Sequence, residues 1–144
     1  MNFLFDTNIL LCYIRLDKKA FYIDETFQPF DAENTPILSV VSVGEIKSIA
    51  LRNKWGTAKR TTLKKLLSLF IITDINSDDV LDAYAEIDTF SQGKGKPLKM
   101  SSRNMGKNDL WIAATAYVSS SKLLTLDKDF DHLQSEYIEI LKIV

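Results

Sequence analysis

Asp6, Glu45, Asp109 and Asp127 are the residues of this 144-residue chain whose type and placement suggest chemistry. Asp6 directly follows the apolar run Phe3-Leu4-Phe5, and Glu45 comes just after the β-branched stretch 36–41. Asp109 stands before Leu110 to Tyr117, and Asp127 follows Leu123 to Leu126. No Lys or Arg directly adjoins Asp6 or Glu45, whereas Lys107 and Lys128 lie near Asp109 and Asp127. Carboxylates brought together repel one another and raise each other's pKa unless a cation sits among them. A divalent metal is the economical resolution, and an oxygen-only donor set favours Mg²⁺ or Mn²⁺ over zinc. With one cysteine, Cys12, and one histidine, His132, the residue set does not favour zinc. Carboxylate-held Mg²⁺ lowers the pKa of a bound water, presents it in line to a phosphodiester and stabilises charge on the leaving oxygen. The chemistry indicated is hydrolysis of a phosphate ester. Taken singly, Asp6, Asp109 and Asp127 are each explained as well by helix capping. Glu45 is harder to explain that way, because Val41, Val43 and Ile46 surround it in sequence; with Asp6 it moves the balance towards a site.

The elements that must position these acids alternate. Phe3 to Phe5 reads as a strand, Asp6-Thr7-Asn8 as a polar turn and Ile9 to Ile14 as a helix. Pro36 to Val41 repeats the unit, with Ser42 expected to cap a helix that starts near Val43 and carries Glu45 in its first turn. Residues 59–69 form an amphipathic helix leading into a strand at 70–73. Ser77 then caps a helix whose stripe is Val80, Leu81, Tyr84 and Ile87. Residues 91–107 hold three of the five glycines and read as a loop, long enough to suggest a functional role. Asp109 opens a helix, residues 122–126 are a strand, and residues 137–140 close with another. Strands alternating with helices imply a parallel sheet covered on both faces, a three-layer α/β/α architecture over 1–144 as a single domain. Ligands of such sheets bind outside the carboxyl ends of the strands, where remote strand-to-helix junctions share one rim.

Four segments carry a family resemblance: Phe5-Asp6-Thr7-Asn8, Ser42-Val43-Gly44-Glu45-Ile46, Asn108-Asp109-Leu110-Trp111-Ile112-Ala113-Ala114-Thr115-Ala116, and Leu124-Thr125-Leu126-Asp127-Lys128-Asp129-Phe130. In this order, and spanning the chain, they resemble the PIN domain and, within it, the small toxin nucleases of the VapC type. The resemblance implies an α/β fold with a central parallel sheet and a Mg²⁺- or Mn²⁺-dependent endoribonuclease, the toxin of a type II toxin–antitoxin system. Carried over position by position, Asp6, Glu45 and Asp109 would be catalytic metal ligands and Asp127 a fourth acid, often acting through water. Asn8 would help hold Asp6 or the water network, Thr125 would line the floor, and Asp129 would rank below Asp127. The resemblance also implies a homodimer and a cognate antitoxin, through which alone operator DNA would be met. The approach to Asp109 is longer and more basic than the family pattern, which bears on substrate preference.

Composition bounds these expectations. At 46% hydrophobic and 26% charged, the chain matches one ordinary globular domain of roughly 100–200 residues. It offers no run of roughly 20 apolar residues to span a membrane and no basic leader, so a soluble, unprocessed, cytoplasmic protein without membrane contact is expected. The net charge of -1 argues by itself against a polyanion partner. Its distribution argues the reverse. No acid lies between Glu45 and Asp74, a stretch holding Lys47, Arg52, Lys54, Lys59, Arg60, Lys64 and Lys65; none lies between Asp88 and Asp109, which enclose Lys94, Lys96, Lys99, Arg103 and Lys107. Lys and Arg supply most non-specific nucleic-acid affinity. The second group leads straight into Asp109 and is read as RNA-binding, while the basics of 59–69 are explained equally well as a solvated helix face. Trp55 could stack a base, worth roughly 1–3 kcal/mol; Trp111 and Cys12 read as core and His132 as a surface residue.

Two other classes compete. A phosphatase of the haloacid dehalogenase type also places an Asp after strand one, but wants a second Asp two positions on, where this chain has Asn8. A non-catalytic module that binds an operator with a partner is the other.

Overall fold

The computed structural model describes residues 1–94 and 105–144. The chain runs β1 (Asn2–Phe5), α1 (Thr7–Ile14), α2 (Lys18–Phe27), β2 (Thr35–Ser39), α3 (Val40–Arg52), α4 (Thr57–Leu67), β3 (Ile71–Thr73), α5 (Asp78–Ser91), α6 (Lys107–Val118) and β4 (Ser121–Thr125). A 3₁₀ segment (Lys128–Leu133) and β5 (Glu139–Lys142) complete it. The five strands form one sheet in the order β3-β2-β1-β4-β5, every pair parallel. From β1 the chain builds outwards through β2 and β3, then crosses to the other side of β1 for β4 and β5. The order therefore reverses between β1 and β4, where Phe5 is in register with Leu124.

Side chains on a strand alternate between faces, and β1 shows the consequence. Phe3 and Phe5 join Ile9, Leu10, Leu38, Ile46 and Leu63 in a core beneath α1, α3 and α4, while Leu4 joins Ile87, Phe90, Ile112 and Ala116 beneath α5 and α6. The sheet is thus the middle of three layers, as expected. Phe5 is fully buried, its ring 4.8 Å from that of Phe70 and 5.4 Å from that of Phe30.

Several local expectations are corrected. The helix after β2 begins at Val40, capped by Ser39, whose Oγ accepts from the Val41 N–H at 3.1 Å. Ser42 is instead buried in its first turn, and Glu45 falls one turn later than expected. Proximity of a β-branched run to Ser42 hid the earlier boundary, since Val40 and Val41 suit a strand as readily as a helix. Helix α2 is not anticipated from sequence; it is amphipathic, but it buries only Ala20 and Ile23. Trp55 is not available to stack a base: it is buried in the α4-side core, with the Lys59 ammonium 4.5 Å over its ring. His132 is not a free surface residue either, being half-buried, stacked on Phe90 and 2.8 Å from Ser91 Oγ through Nε2. Cys12 and Trp111 pack as expected, Trp111 against Tyr84 at 4.1 Å between ring centroids. Among the described residues, no helix is long and apolar enough to cross a membrane.

Candidate metal centre

Asp6 leaves the carboxyl end of β1 and Asp127 that of β4, the two strands between which the order reverses. Glu45 lies on α3, which starts directly from β2, and Asp109 is the third residue of α6, whose C-terminal end leads back into β4. Topology therefore sends all four acids to one rim.

Capping and site roles coincide rather than compete. Asp6 is the N-cap of α1, its Oδ1 accepting from the Thr7 N–H at 2.8 Å. Its other oxygen, Oδ2, accepts from the Thr125 hydroxyl at 2.7 Å. That hydroxyl in turn accepts from the Asp127 N–H at 3.0 Å, and Asp127 Oδ1 accepts from the Asp129 N–H at 2.9 Å. Thr7 adds a link that the sequence reading missed: its Oγ1 donates to Glu45 Oε1 at 2.7 Å. Each of these bonds leaves its carboxylate ionisable and oriented, with lone pairs to spare. Asp109 is not a cap, because that position belongs to Gly106; it sits in the first turn of α6, where helix N–H groups favour negative charge.

One carboxylate oxygen from each of Asp109, Asp127 and Asp129 lies within 4.8 Å of the others, close enough to offer one cation three ligands. Asp129, the exposed member, thus lies in the same cluster as Asp127. Among the described residues the ion pairs are Lys19–Asp17, Lys122–Glu139 and Lys142–Asp131, and none neutralises the rim. The electrostatic cost is visible. Burial raises the Asp6 carboxyl above its ordinary value, opposed by the Thr125 and Thr7 hydrogen bonds and reinforced by Glu45 and Asp127. Burial first, then the charges of Asp6, Asp127, Asp129 and Glu45, push Asp109 up to about 7. A divalent cation is the group that relieves such a cluster, and the all-oxygen donor set fits a hard ion.

The remaining expected residues are dispersed. Asn8 is exposed, and the bonds to Asp6 come from Thr7 and Thr125. Lys94 and Lys107 are exposed, the latter opening α6. Lys96, Lys99 and Arg103 lie outside the described residues. Beside the carboxylates, a cleft of about 580 Å³ lies between α3 and α6, lined by Gly44, Glu45, Ser48, Arg52, Asn108 and Trp111 among others.

Known proteins match this architecture. None of the curated proteins matches the chain in sequence. A crystal structure of VapBC2 from Rickettsia felis, bound to a DNA fragment from its promoter, contains a chain 22% identical, with a TM-score of 0.80 and all of both chains covered. VapBC-1 from nontypeable Haemophilus influenzae matches at 17% identity and a TM-score of 0.74, covering 99% of this chain and 98% of that one. FitAcB from Neisseria gonorrhoeae matches at 20% identity and 0.68, covering 97% and 96%. These likenesses establish the fold. The PIN domain family model matches residues 3–136, nearly the whole sequence, and carries the stronger statement: the chain belongs to the PIN domain family.

Proposed function

We propose that the chain is a Mg²⁺- or Mn²⁺-dependent endoribonuclease, the toxin of a type II toxin–antitoxin pair, with residues 1–144 acting as one catalytic domain. The observation that carries this reading is the convergence of Asp6, Glu45, Asp109, Asp127 and Asp129 on one rim, with Asp109 pushed up to about 7 by burial and its acidic neighbours.

Asp6, Glu45, Asp109 and Asp127 would hold the cation, with Asp129 beside them. When bound, the ion lowers the pKa of a water for attack on the phosphodiester and stabilises charge on the leaving oxygen. The chain's own residues prepare the centre. Thr125 and Thr7 fix the Asp6 and Glu45 carboxylates before any ligand arrives, so little orientation remains to be lost on binding. Lys107, exposed at the start of α6 two residues before Asp109, attracts a polyanionic strand that the acids alone would repel.

The toxin role is supported by neighbours that are parts of VapBC and FitAcB complexes, one of them on promoter DNA. In this reading a cognate antitoxin covers the site, operator DNA is met only through that antitoxin, and the toxin is a cytoplasmic homodimer. Exposed Leu16, Phe21, Tyr22 and Leu51 supply apolar surface suited to protein partners.

The test is cleavage mapping on a total RNA pool with Mg²⁺, Mn²⁺ or EDTA, comparing the chain with Asp6→Asn. Metal-dependent cuts that disappear in Asp6→Asn, with its far-UV circular dichroism unchanged, are the expected result; undiminished cleavage in that variant overturns it.

A further inference from the structure

Gly44 has no internal reason to be glycine. It lies within α3, its φ is not positive, and a Cβ built there meets nothing within 4 Å. A glycine inside a helix weakens it relative to alanine. The space left open belongs to the cleft between α3 and α6, which Gly44 lines next to Glu45.

The cleft has a chemical polarity. Glu45, Ser48 and Arg52 recur on one face of α3 at three- and four-residue spacing. Acid therefore stands at one end and guanidinium at the other, with Arg52 Nη1 donating to Ser48 Oγ at 3.2 Å. Asn108, between Lys107 and Asp109, contributes an amide that can both donate and accept. Ile75 and the Trp111 indole supply apolar wall, the indole backed by Tyr84 at 4.1 Å. A volume of about 580 Å³ is within the range of small-ligand sites.

We propose that this cleft is a nucleotide subsite of the centre, taking one residue of single-stranded RNA adjacent to the scissile bond. Its phosphate meets Arg52, and its base lies against Ile75 and Trp111 within reach of the Asn108 amide. The proposal rests on the nuclease reading. Arg52 and Glu45 at opposite ends of the cleft give the strand one direction of entry, and Asn108 gives the site a means of preferring particular bases. Gly44 is the floor over which the strand passes.

The two tryptophans make the test direct, since Trp111 lines the cleft and Trp55 is buried in the opposite core. Single-stranded RNA decamers of each base are titrated in EDTA into the chain and into its Trp55→Phe and Trp111→Phe variants, following indole emission. Saturable quenching that survives Trp55→Phe and vanishes in Trp111→Phe is expected. Gly44→Leu and Arg52→Ala should each weaken the RNA affinity at least tenfold without lowering the melting temperature. Quenching insensitive to both substitutions, or absent throughout, overturns the subsite. Cleavage is scored separately with Mg²⁺ and Mn²⁺: a chain that binds RNA through the cleft without cutting it overturns the nuclease reading alone, whereas one that cuts without cleft-dependent binding overturns the subsite alone.

Discussion

Thr125 Oγ1 donates to Asp6 Oδ2 at 2.7 Å, joining two residues 119 positions apart in the chain. The same oxygen accepts from the Asp127 N–H, so its one proton is committed to Asp6. This hydroxyl ties the ends of β1 and β4 together at the point where strand order reverses. Thr125→Val keeps the shape and removes both bonds. It leaves the half-buried Asp127 N–H without this partner, a loss of about 1 kcal/mol, and removes a contact that lowers the Asp6 pKa. Urea denaturation should show that loss, and the metal-dependent activity should shift to higher pH and higher metal concentration. Thr125→Ser should recover both; a valine variant matching the parent in both would show that the hydroxyl positions nothing.

Stability without metal should fall as pH rises. Asp109 has an ordinary value of 3.8 and about 7 in the folded chain. Between those values the folded state keeps a proton that the unfolded state has shed, so its contribution is present at low pH and lost as pH climbs through about 7. Asp6 is raised in the same direction. Thermal melts in EDTA should therefore decline from pH 5 to pH 8, and Asp109→Asn should melt higher than the parent at pH 8 with a flatter profile. Adding Mn²⁺ at pH 8 should stabilise the parent by about 2.7 kcal/mol at a hundredfold excess over its dissociation constant, and the variant by much less. A metal-free melting temperature that rises over this pH range would contradict the geometry of the cluster.

Thr7 holds Glu45 across the gap between α1 and α3 through a 2.7 Å bond. Partners of this kind orient a ligand without touching the metal, and their loss typically costs 10–100-fold in metal affinity. Thr7→Val should raise the Mn²⁺ concentration needed for half-maximal stabilisation by about that factor, read by metal-dependent melting, while Thr7→Ser stays within a few-fold of the parent. Equal metal requirements for the two variants would assign Thr7 a packing role only.

The parts of the site that sequence made legible are those fixed by topology. Asp6, Glu45, Asp109 and Asp127 each sit by a strand or helix boundary marked by apolar runs, and a parallel sheet must bring such boundaries to one rim. The links between them were not legible, because a hydroxyl bond from Thr7 to Glu45 or from Thr125 to Asp6 depends on which side chains face each other across 38 or 119 residues. Asp129, one step further into the segment after β4, reads from sequence as secondary to Asp127; the 3₁₀ segment capped by Asp127 brings a carboxylate oxygen of each within one cluster. Trp55 misled through its basic neighbours. Lys54 and Lys59 suggested a nucleic-acid surface, yet the ring turns inward and only the Lys59 ammonium remains over it. Helix α2 is amphipathic, but it buries only Ala20 and Ile23 and holds no long apolar run to mark it.

Gly44→Ala separates stability from binding. The added methyl meets nothing within 4 Å, and the backbone there is one that alanine adopts without strain. Restricting the unfolded chain should then stabilise the protein by about 0.4–1 kcal/mol, a rise of a few degrees in melting temperature. The same methyl projects into the cleft beside Glu45, so RNA affinity should fall while stability rises, by less than for Gly44→Leu. Opposite signs in the two measurements are what a residue kept for its site rather than its helix must show, since local rules are broken where function demands it. A stability loss would mean that Gly44 answers to packing, and unchanged RNA affinity would mean that nothing passes over it.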